Sequence, residues 1–256
     1  MGNKFSTGSK DIDRLMDGGI SLGAPSLLFG IPNLGKTWFC FQIACMCTRD
    51  QKHGGLGRSV LYLDTETFFT PDVFDRFYAY FRKRWPDLPA KPMIEVRIVK
   101  DIFELGKLFG IHYEIIHEDR RVSVVSRFPT HRQEVLAGKG KSELKETTKS
   151  GDYIKDCPLA KELTEKKYGI VIIDSLTAPI KSVIPSASQN FPARASILQE
   201  LLGTFYTICQ DHNCAIFLTD HITRSPMEPG YVYGLGTPWG GQDVTYYVKQ
   251  QFGLYR

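Results

Sequence analysis

The chain has 256 residues, which suits one α/β domain with an insertion but leaves no room for a second domain of full size. Its 42% apolar and 23% charged residues are ordinary for a globular protein, and a net charge of +4 permits contact with nucleic acid without predicting it. The first residues lack the apolar core of a signal peptide, and no apolar run reaches the roughly 20 residues that span a bilayer, so we expect a cytoplasmic protein with no membrane partner.

Short apolar segments alternate with longer helical ones, which is typical of a parallel sheet whose strands are joined by crossover helices. The first buried strand is predicted at residues 26–29, and a buried helix follows the glycine-rich segment after it. Further strands are predicted at residues 60–63, 94–99, 170–173 and 215–218, with a helix from about 195 to 209 before the last of them. The fold class is therefore predicted as α/β, with a mostly parallel twisted sheet flanked by helices.

One segment, from about residue 105 to 165, does not follow this alternation. Residues 111–125 have the pattern of two strands around Glu118-Asp119-Arg120-Arg121, which predicts a β-hairpin. Residues 127–168 then carry ten Lys or Arg against seven Asp or Glu. We predict a charged, solvated insertion within a single domain that spans residues 1–256. A basic arm for nucleic acid is the alternative, and the interspersed acidic residues count against it.

Residues 30–37 carry a complete GxxxxGK[ST] pattern between the first strand and the buried helix. Its glycines let the backbone wrap closely around phosphates, Lys36 places a positive charge against them, and Thr37 offers a hydroxyl to Mg²⁺. The pattern predicts a nucleotide site that takes ATP and Mg²⁺. The predicted nucleotide-binding residues are Gly30, Ile31, Pro32, Asn33, Leu34, Gly35, Lys36, Thr37 and Trp38.

Two carboxylates follow predicted strands. Asp174 ends the strand at residues 170–173, where a P-loop enzyme needs a carboxylate to hold Mg²⁺ together with Thr37. Glu66 lies just past the strand at 60–63 and is a candidate to polarise the water that attacks the γ-phosphate. A structural carboxylate that caps the next helix or pairs with a basic residue fits this spacing equally well.

Three segments resemble the RecA superfamily, and within it the archaeal RadA and RadB recombinases and their paralogs. They are Phe5 to Ile20, which resembles the lead-in to the P-loop; Tyr62 to Pro71, which resembles the segment of the catalytic glutamate; and Ile172 to Ser175, which resembles the Walker B strand. The resemblance implies a RecA-type P-loop core in which Glu66 and Lys36 are catalytic. It covers about residues 5–80 and 168–256 and leaves the insertion unexplained.

The same resemblance implies contacts with DNA. Ala193-Arg194 and the helix after it resemble the segment that follows the family's first DNA-binding loop, and residues 238–241 resemble the glycine pair that closes the second. By that mapping residues 179–192 and 223–239 would face DNA. Arg194 and Arg224 are the basic candidates for the contacts.

The chain also departs from the strand-exchanging members. We expect the N-terminal helical domain, the polymerisation linker and the cap over a neighbour's ATP to be missing, because the motifs begin at Phe5 and the chain stops at Arg256. The family's Asn-Gln pair, whose Gln senses the γ-phosphate, is replaced by Asp220-His221. His221 can still donate a hydrogen bond as a sensor, whereas Asp220 adds a negative charge near an anion.

We therefore predict an accessory protein of homologous recombination and DNA repair, similar to RadB, that binds ATP and DNA, hydrolyses ATP weakly and does not exchange strands. Expected partners are single-stranded or branched DNA and a RadA-type recombinase or a junction nuclease, with self-association left open and a nucleoid location if the source is archaeal. One alternative is an active strand-exchange recombinase. Another is a KaiC-like regulatory ATPase that acts through proteins, although that family usually carries paired glutamates where this chain has Asp64-Thr65-Glu66.

Overall fold

The computed structural model describes residues 4–118, 121–127, 157–185, 188–223, 237–238 and 246–254. Its strands are β1 (Lys4–Phe5), β2 (Ile20–Ser21), β3 (Pro25–Gly30), β4 (Ser59–Asp64), β5 (Ile94–Ile98), β6 (His112–Glu118), β7 (Arg121–Arg127), β8 (Tyr168–Asp174), β9 (Ala215–Asp220), β10 (Ile222–Thr223), β11 (Thr237–Pro238) and β12 (Gln250–Leu254). Its α-helices are α1 (Lys10–Leu15), α2 (Lys36–Thr48), α3 (Pro71–Arg84), α4 (Ile102–Leu108), α5 (Pro158–Lys166), α6 (Ala178–Lys181) and α7 (Phe191–His212). Two 3₁₀ turns lie at Gln51–His53 and Ser188–Asn190.

Six of the described strands form one sheet in the spatial order β12-β3-β9-β8-β4-β5. All five neighbouring pairs are parallel, so the α/β fold with a mostly parallel sheet is confirmed. The strands predicted at residues 26–29, 60–63, 94–99, 170–173 and 215–218 correspond to β3, β4, β5, β8 and β9.

The helix predicted from about residue 195 to 209 is longer in the structure, where α7 runs from Phe191 to His212. Pro192 lies in its first turn, and a proline is tolerated there because the first helical N–H groups have no partner within the helix. The sequence pattern placed the start too late because it counted only the apolar positions after this proline.

Both faces of the four inner strands of the sheet are buried, which explains why these strands are largely apolar. In β8, Val171 and Ile173 belong to one hydrophobic cluster, whereas Ile170 and Ile172 belong to the other. The first cluster also contains residues of α4, α5 and α7, and the second contains residues of α2 and α3. Successive side chains of a strand point to opposite faces, so a strand covered on both sides needs apolar residues at every position.

The hairpin predicted around residues 118–121 is present as the antiparallel pair of β6 and β7. It lies against α7 and the turn before it. Ser126 Oγ donates a hydrogen bond to Glu200 Oε1 over 2.7 Å, and the backbone N–H of Val122 donates to Asn190 Oδ1 over 3.2 Å. The hairpin is therefore attached to the segment that precedes α7.

The described ends of the charged segment at 105–165 are not solvated as expected. Phe109, Ile111, Leu159 and Leu163 are buried in the same cluster as one face of β8. The sequence did not predict their burial, because each apolar stretch here is short and lies next to charged residues. Residues 128–156, which carry most of those charges, lie outside the described part of the chain.

Gln250 joins strand β12 to the segment that leads into β3. Its Oε1 accepts hydrogen bonds from the backbone N–H of Ser21 and from Ser26 Oγ, both over 3.0 Å. Its Nε2 donates to the carbonyl oxygens of Met16 and Gly19, over 3.1 and 3.0 Å. The amide thus uses both donors and both acceptor positions, and it holds three separate chain segments together.

We predict that Gln250→Ala lowers the free energy of unfolding by about 2–4 kcal/mol, because four partly buried partners lose their hydrogen bonds at once. Urea denaturation followed by circular dichroism measures this change. The matched control is Gln251→Ala, since Gln251 lies next to it and makes no side-chain hydrogen bond to the described residues; its effect should stay below about 1 kcal/mol. Equal effects of the two substitutions would contradict the role of this amide.

Candidate functional site

Four neighbouring strands end at the same edge of the sheet and bring their terminal residues together. Strand β3 ends at Gly30, β9 at Asp220, β8 at Asp174 and β4 at Asp64. The register pairs Phe29 with Asp220 and Asp64 with Asp174, so the strand ends are level. Because the sheet is parallel, the predicted phosphate loop and the predicted Mg²⁺ ligand lie at one edge.

The predicted phosphate loop connects β3 to α2. Helix α2 begins at Lys36, and Gly35 precedes it with a φ of 87°. A Cβ added to Gly35 would meet nothing within 4 Å, so the backbone conformation and not a lack of space requires glycine here. The side chain of Lys36 is buried, and its Nζ donates to the carbonyl oxygens of Gly30 and Ile31, each over 2.9 Å. The ammonium group is therefore held against the loop itself.

The charge of Lys36 lies among three carboxylates. Burial lowers the pKa of its ammonium group, while the negative charges of Asp174, Glu66 and Asp220 act in the opposite direction, and the net shift is downward. A buried cation of this kind is stabilised when an anion arrives. The residues that the sequence predicted as phosphate-binding, Mg²⁺-binding and catalytic thus lie within electrostatic range of one another.

Asp174 is buried and held on both carboxylate oxygens. Its Oδ2 accepts a hydrogen bond from Tyr62 OH over 2.7 Å, and its Oδ1 accepts a short one from Thr219 Oγ1. Burial raises the pKa of the Asp174 carboxyl group, and the hydrogen bonds from Thr219, Tyr62 and Thr37 partly offset that rise. The peptide bond between Asp174 and Ser175 is cis. Because Thr37 donates a hydrogen bond to the Asp174 carboxyl group, the two side chains are in contact, as a shared metal site requires.

Tyr62 and Thr219 are partners of Asp174 that the sequence did not predict. Each is a hydroxyl-bearing residue that follows apolar residues in its strand, and that position is the only signal that marks it. A hydroxyl in a strand covered on both sides needs a hydrogen-bond partner, so the signal predicts a buried polar contact but does not identify it.

Glu66 contacts the predicted sensor residue. Its Oε1 accepts a hydrogen bond from Ser175 Oγ over 2.8 Å and lies 3.2 Å from His221 Nε2. The hydrogen bond with His221 is the largest influence on the pKa of Glu66, which falls to about 2 against the opposing effect of burial. The next helix, α3, is capped by Thr70 and not by Glu66, so the capping alternative is wrong.

Asp220 is fully buried at the end of β9. Its Oδ1 accepts hydrogen bonds from Thr177 Oγ1 and from the backbone N–H of His221, both over 2.7 Å. Its Oδ2 has no hydrogen-bond partner within the described residues. Burial raises the pKa of Asp220 to about 7, so the negative charge expected at this position is only partly present near neutral pH.

The two oxygen ligands predicted for Mg²⁺ fit that ion. Mg²⁺ is commonly held by one or two protein groups together with substrate phosphates and water, and it prefers oxygen donors. Thr37 and Asp174 supply a hydroxyl and a carboxylate side by side. Across the described ranges no group of three or more His, Cys, Asp or Glu side chains is arranged to hold a metal ion.

Three predicted residues remain, namely Trp38, Arg194 and Arg224. Trp38 follows the loop and packs against Phe77 and Tyr80, with ring centroids 4.5 and 4.8 Å apart. Arg194 is 6% exposed on α7, so its guanidinium group is not a surface cation in this structure. Arg224 lies outside the described residues.

A parallel sheet with a P-loop after an inner strand and a carboxylate at the end of β8 defines a P-loop nucleotide-binding core of the RecA type. Residues 4–227 match the family described as AAA domain, and the chain belongs to this family. The resemblance to RecA-superfamily recombinases is confirmed.

One similar protein is the DNA repair and recombination protein RadA of Methanocorpusculum labreanum. The two are 27% identical over 242 residues, which cover 94% of this chain and 62% of the relative. This chain therefore spans less than two thirds of the length of that protein. In the described part of the chain, none of the helices is long and apolar enough to cross a membrane.

We predict that Asp220→Asn makes stability less dependent on pH. The folded-state pKa of Asp220 lies above the ordinary value of 3.8, so its cost to folding is absent in acid, grows as pH rises towards 7, and is constant above that. The free energy of unfolding of the variant, minus that of the natural protein, should rise by about 2–3 kcal/mol between pH 5 and pH 8.

Urea denaturation at several pH values measures this difference. The matched control is Asp211→Asn, because Asp211 is exposed on α7, and its effect should stay within about 0.5 kcal/mol at each pH. A difference for Asp220→Asn that does not change with pH would show that this carboxyl group is not titrating in the folded protein.

Proposed function

We propose that the protein binds ATP with Mg²⁺ at the carboxyl edge of the sheet, hydrolyses it slowly, and serves as a DNA-binding accessory protein in homologous recombination and DNA repair. The observation that carries this proposal is the convergence of Lys36, Asp174 and Glu66 at the ends of parallel strands. A cytoplasmic location belongs to the same proposal.

Each residue has a distinct task in hydrolysis. The phosphates would replace the carbonyl partners of Lys36, whose ammonium group would then stabilise charge on the β- and γ-phosphates. The N-terminus of α2 points its unpaired N–H groups at the same position. Bound Mg²⁺, held by Thr37 and Asp174, would neutralise charge that develops on the phosphate oxygens. Glu66 would hold the attacking water in line with the leaving group.

The proposed contact with DNA is supported by the position of the two predicted loops. Of these segments the structure describes residues 179–185, 188–192, 223 and 237–238, and the other residues lie outside its described part. Residues 179–185 follow β8 and residue 223 follows β9, so the start of each segment lies at the edge of the sheet where the nucleotide would bind. The name of the RadA relative, a DNA repair and recombination protein, supports the same role.

Slow turnover is part of the proposal. Phosphoryl-transfer enzymes gain about 10³- to 10⁵-fold from an additional arginine that a partner or the same chain inserts into the site. Arg194, the arginine considered above as a DNA contact, is buried on α7. We therefore expect a low basal rate.

We predict that Lys36→Ala reduces ATP hydrolysis at least about 100-fold and removes most ATP affinity, because it deletes the main positive charge at the phosphates. A phosphate-release assay and calorimetric titration measure the two effects. The control is Lys52→Ala, since Lys52 is exposed on a 3₁₀ turn, and it should leave both unchanged. Full activity in Lys36→Ala would refute the site.

We predict that the protein binds single-stranded or branched DNA at low salt, and that affinity falls as salt rises because phosphate contacts release counterions. Fluorescence anisotropy with labelled DNA, with and without ATP, tests this. Absence of affinity for DNA at low salt would contradict the proposed role in DNA binding and would favour a regulatory ATPase that acts through proteins. ATP-dependent filaments on single-stranded DNA in electron micrographs would instead favour a strand-exchange recombinase.

A further inference from the structure

Glu66 contacts His221, whose imidazole can exchange a proton, whereas the glutamine of the family pattern can only form hydrogen bonds. Glu66 Oε1 lies 3.2 Å from His221 Nε2, although 155 residues separate the two in the chain. The contact sits beside Ser175, which follows the predicted Mg²⁺ ligand, and within electrostatic range of Lys36. The pair is therefore part of the proposed nucleotide site.

Both members of the pair are held in position by further contacts. Ser175 Oγ donates to the same Oε1 of Glu66, and the backbone N–H of Glu66 donates to Asp64 Oδ1 over 3.1 Å. The backbone N–H of His221 donates to Asp220 Oδ1 over 2.7 Å. A catalytic pair needs this kind of support, because a small displacement of the base costs rate.

Glu66 by itself is a weak base. Its hydrogen bonds, of which that with His221 has the largest effect, hold its pKa at about 2. A general base works best when its pKa is close to the operating pH, and imidazole is the side chain whose ordinary pKa lies nearest to neutrality. The group better suited to accept a proton at neutral pH is thus the partner of Glu66.

The contact also favours one tautomer of the imidazole ring, because an ionised carboxylate can only accept a hydrogen bond. When neutral His221 donates its Nε2 hydrogen to Glu66, the lone pair is on Nδ1. Nδ1 has no hydrogen-bond partner within the described residues, and the side chain is 30% exposed, so water can reach it. A carboxylate that holds one ring nitrogen while the other accepts a proton is the arrangement of the aspartate–histidine pair in serine proteases.

We propose that His221 is the proton acceptor of ATP hydrolysis. In this proposal the carboxylate of Glu66 orients the imidazole ring and stabilises the positive charge that the ring gains. The water oxygen forms a bond to the γ-phosphorus while the bond from phosphorus to the β–γ bridging oxygen breaks, and that oxygen leaves on ADP with the electron pair. The water proton passes to His221 Nδ1, Nε2–H stays bonded to Glu66, and the imidazolium later returns the proton to solvent. This inference rests on the proposed ATPase activity.

Several charged groups surround His221 and must be separated from it in any pH experiment. Asp220 is the most important, since its pKa of about 7 lies in the range where an imidazole titrates. Among the described residues, Glu66 and Asp220 contact His221 directly. Asp174, Lys36 and Lys181 lie within electrostatic range of Glu66, and Arg194 lies within range of Lys181.

The decisive variant is His221→Gln, because glutamine keeps a hydrogen-bond donor for Glu66 and the γ-phosphate but cannot accept a proton. We expect ATP affinity to stay within about threefold and the single-turnover rate to fall about 100-fold, as for loss of a general base. The rate should also depend less on pH in His221→Gln than in the natural protein, because glutamine cannot take up a proton. His117→Gln, on the exposed hairpin, should leave the rate and its pH dependence unchanged.

Asp220→Asn removes the neighbouring carboxyl group and keeps His221, so its rate should keep the pH dependence of the natural protein. A His221→Gln protein that hydrolyses ATP at the natural rate would overturn the proposal, and so would a pH dependence that Asp220→Asn removes and His221→Gln retains. A natural protein that binds ATP without hydrolysing it would overturn both this proposal and the ATPase, whereas failure of Lys36→Ala to weaken binding would refute the nucleotide site itself.

Discussion

The direction of the strands is the constraint on which the site depends. Because every neighbouring pair in the six-stranded sheet is parallel, the polar residues that end β3, β4, β8 and β9 reach one edge, while the apolar residues before them are buried on both faces. A mixed sheet would send some of these ends to the opposite side. The helices that connect parallel strands also cover both faces, so the same constraint creates the core and concentrates the charges.

Bringing these charged groups together at one edge costs free energy, because several of them are buried away from water. One carboxylate oxygen of Asp220 is buried without a hydrogen-bond partner in the described part of the chain. Asp174 is buried but accepts hydrogen bonds from two hydroxyl groups, which stabilise its carboxylate. The ammonium group of Lys36 is desolvated. Unsatisfied polar groups of this kind are rare in a packed interior and are commonest at functional sites. A bound polyphosphate would compensate Lys36 directly.

The pair Asp220-His221 changes what this edge can do. An amide at either position could only donate or accept hydrogen bonds, whereas a carboxyl group and an imidazole can also exchange protons. In the structure Asp220 fixes the backbone of His221 and the side chain of His221 contacts Glu66. The departure from the family pattern therefore includes His221, which contacts the proposed catalytic carboxylate, and it would add acid–base chemistry at the position proposed as the sensor.

Much of this protein follows from its sequence. The alternation of apolar segments predicted β3, β4, β5, β8 and β9, the loop pattern placed Lys36 and Thr37, and the turn residues predicted the hairpin. These features depend on neighbours within a few positions, because strand periodicity, loop conformation and turn geometry are local properties.

The tertiary structure alone decided the rest. Tyr62 and Thr219 meet at Asp174 from two different strands, and Glu66 meets His221 across 155 positions of sequence. The burial of Asp220, which moves its pKa to about 7, depends on residues of other elements that cover it. No local pattern specifies which distant side chain completes a hydrogen bond or how much water a carboxylate loses, since both are set by the packing of elements that are far apart in the chain.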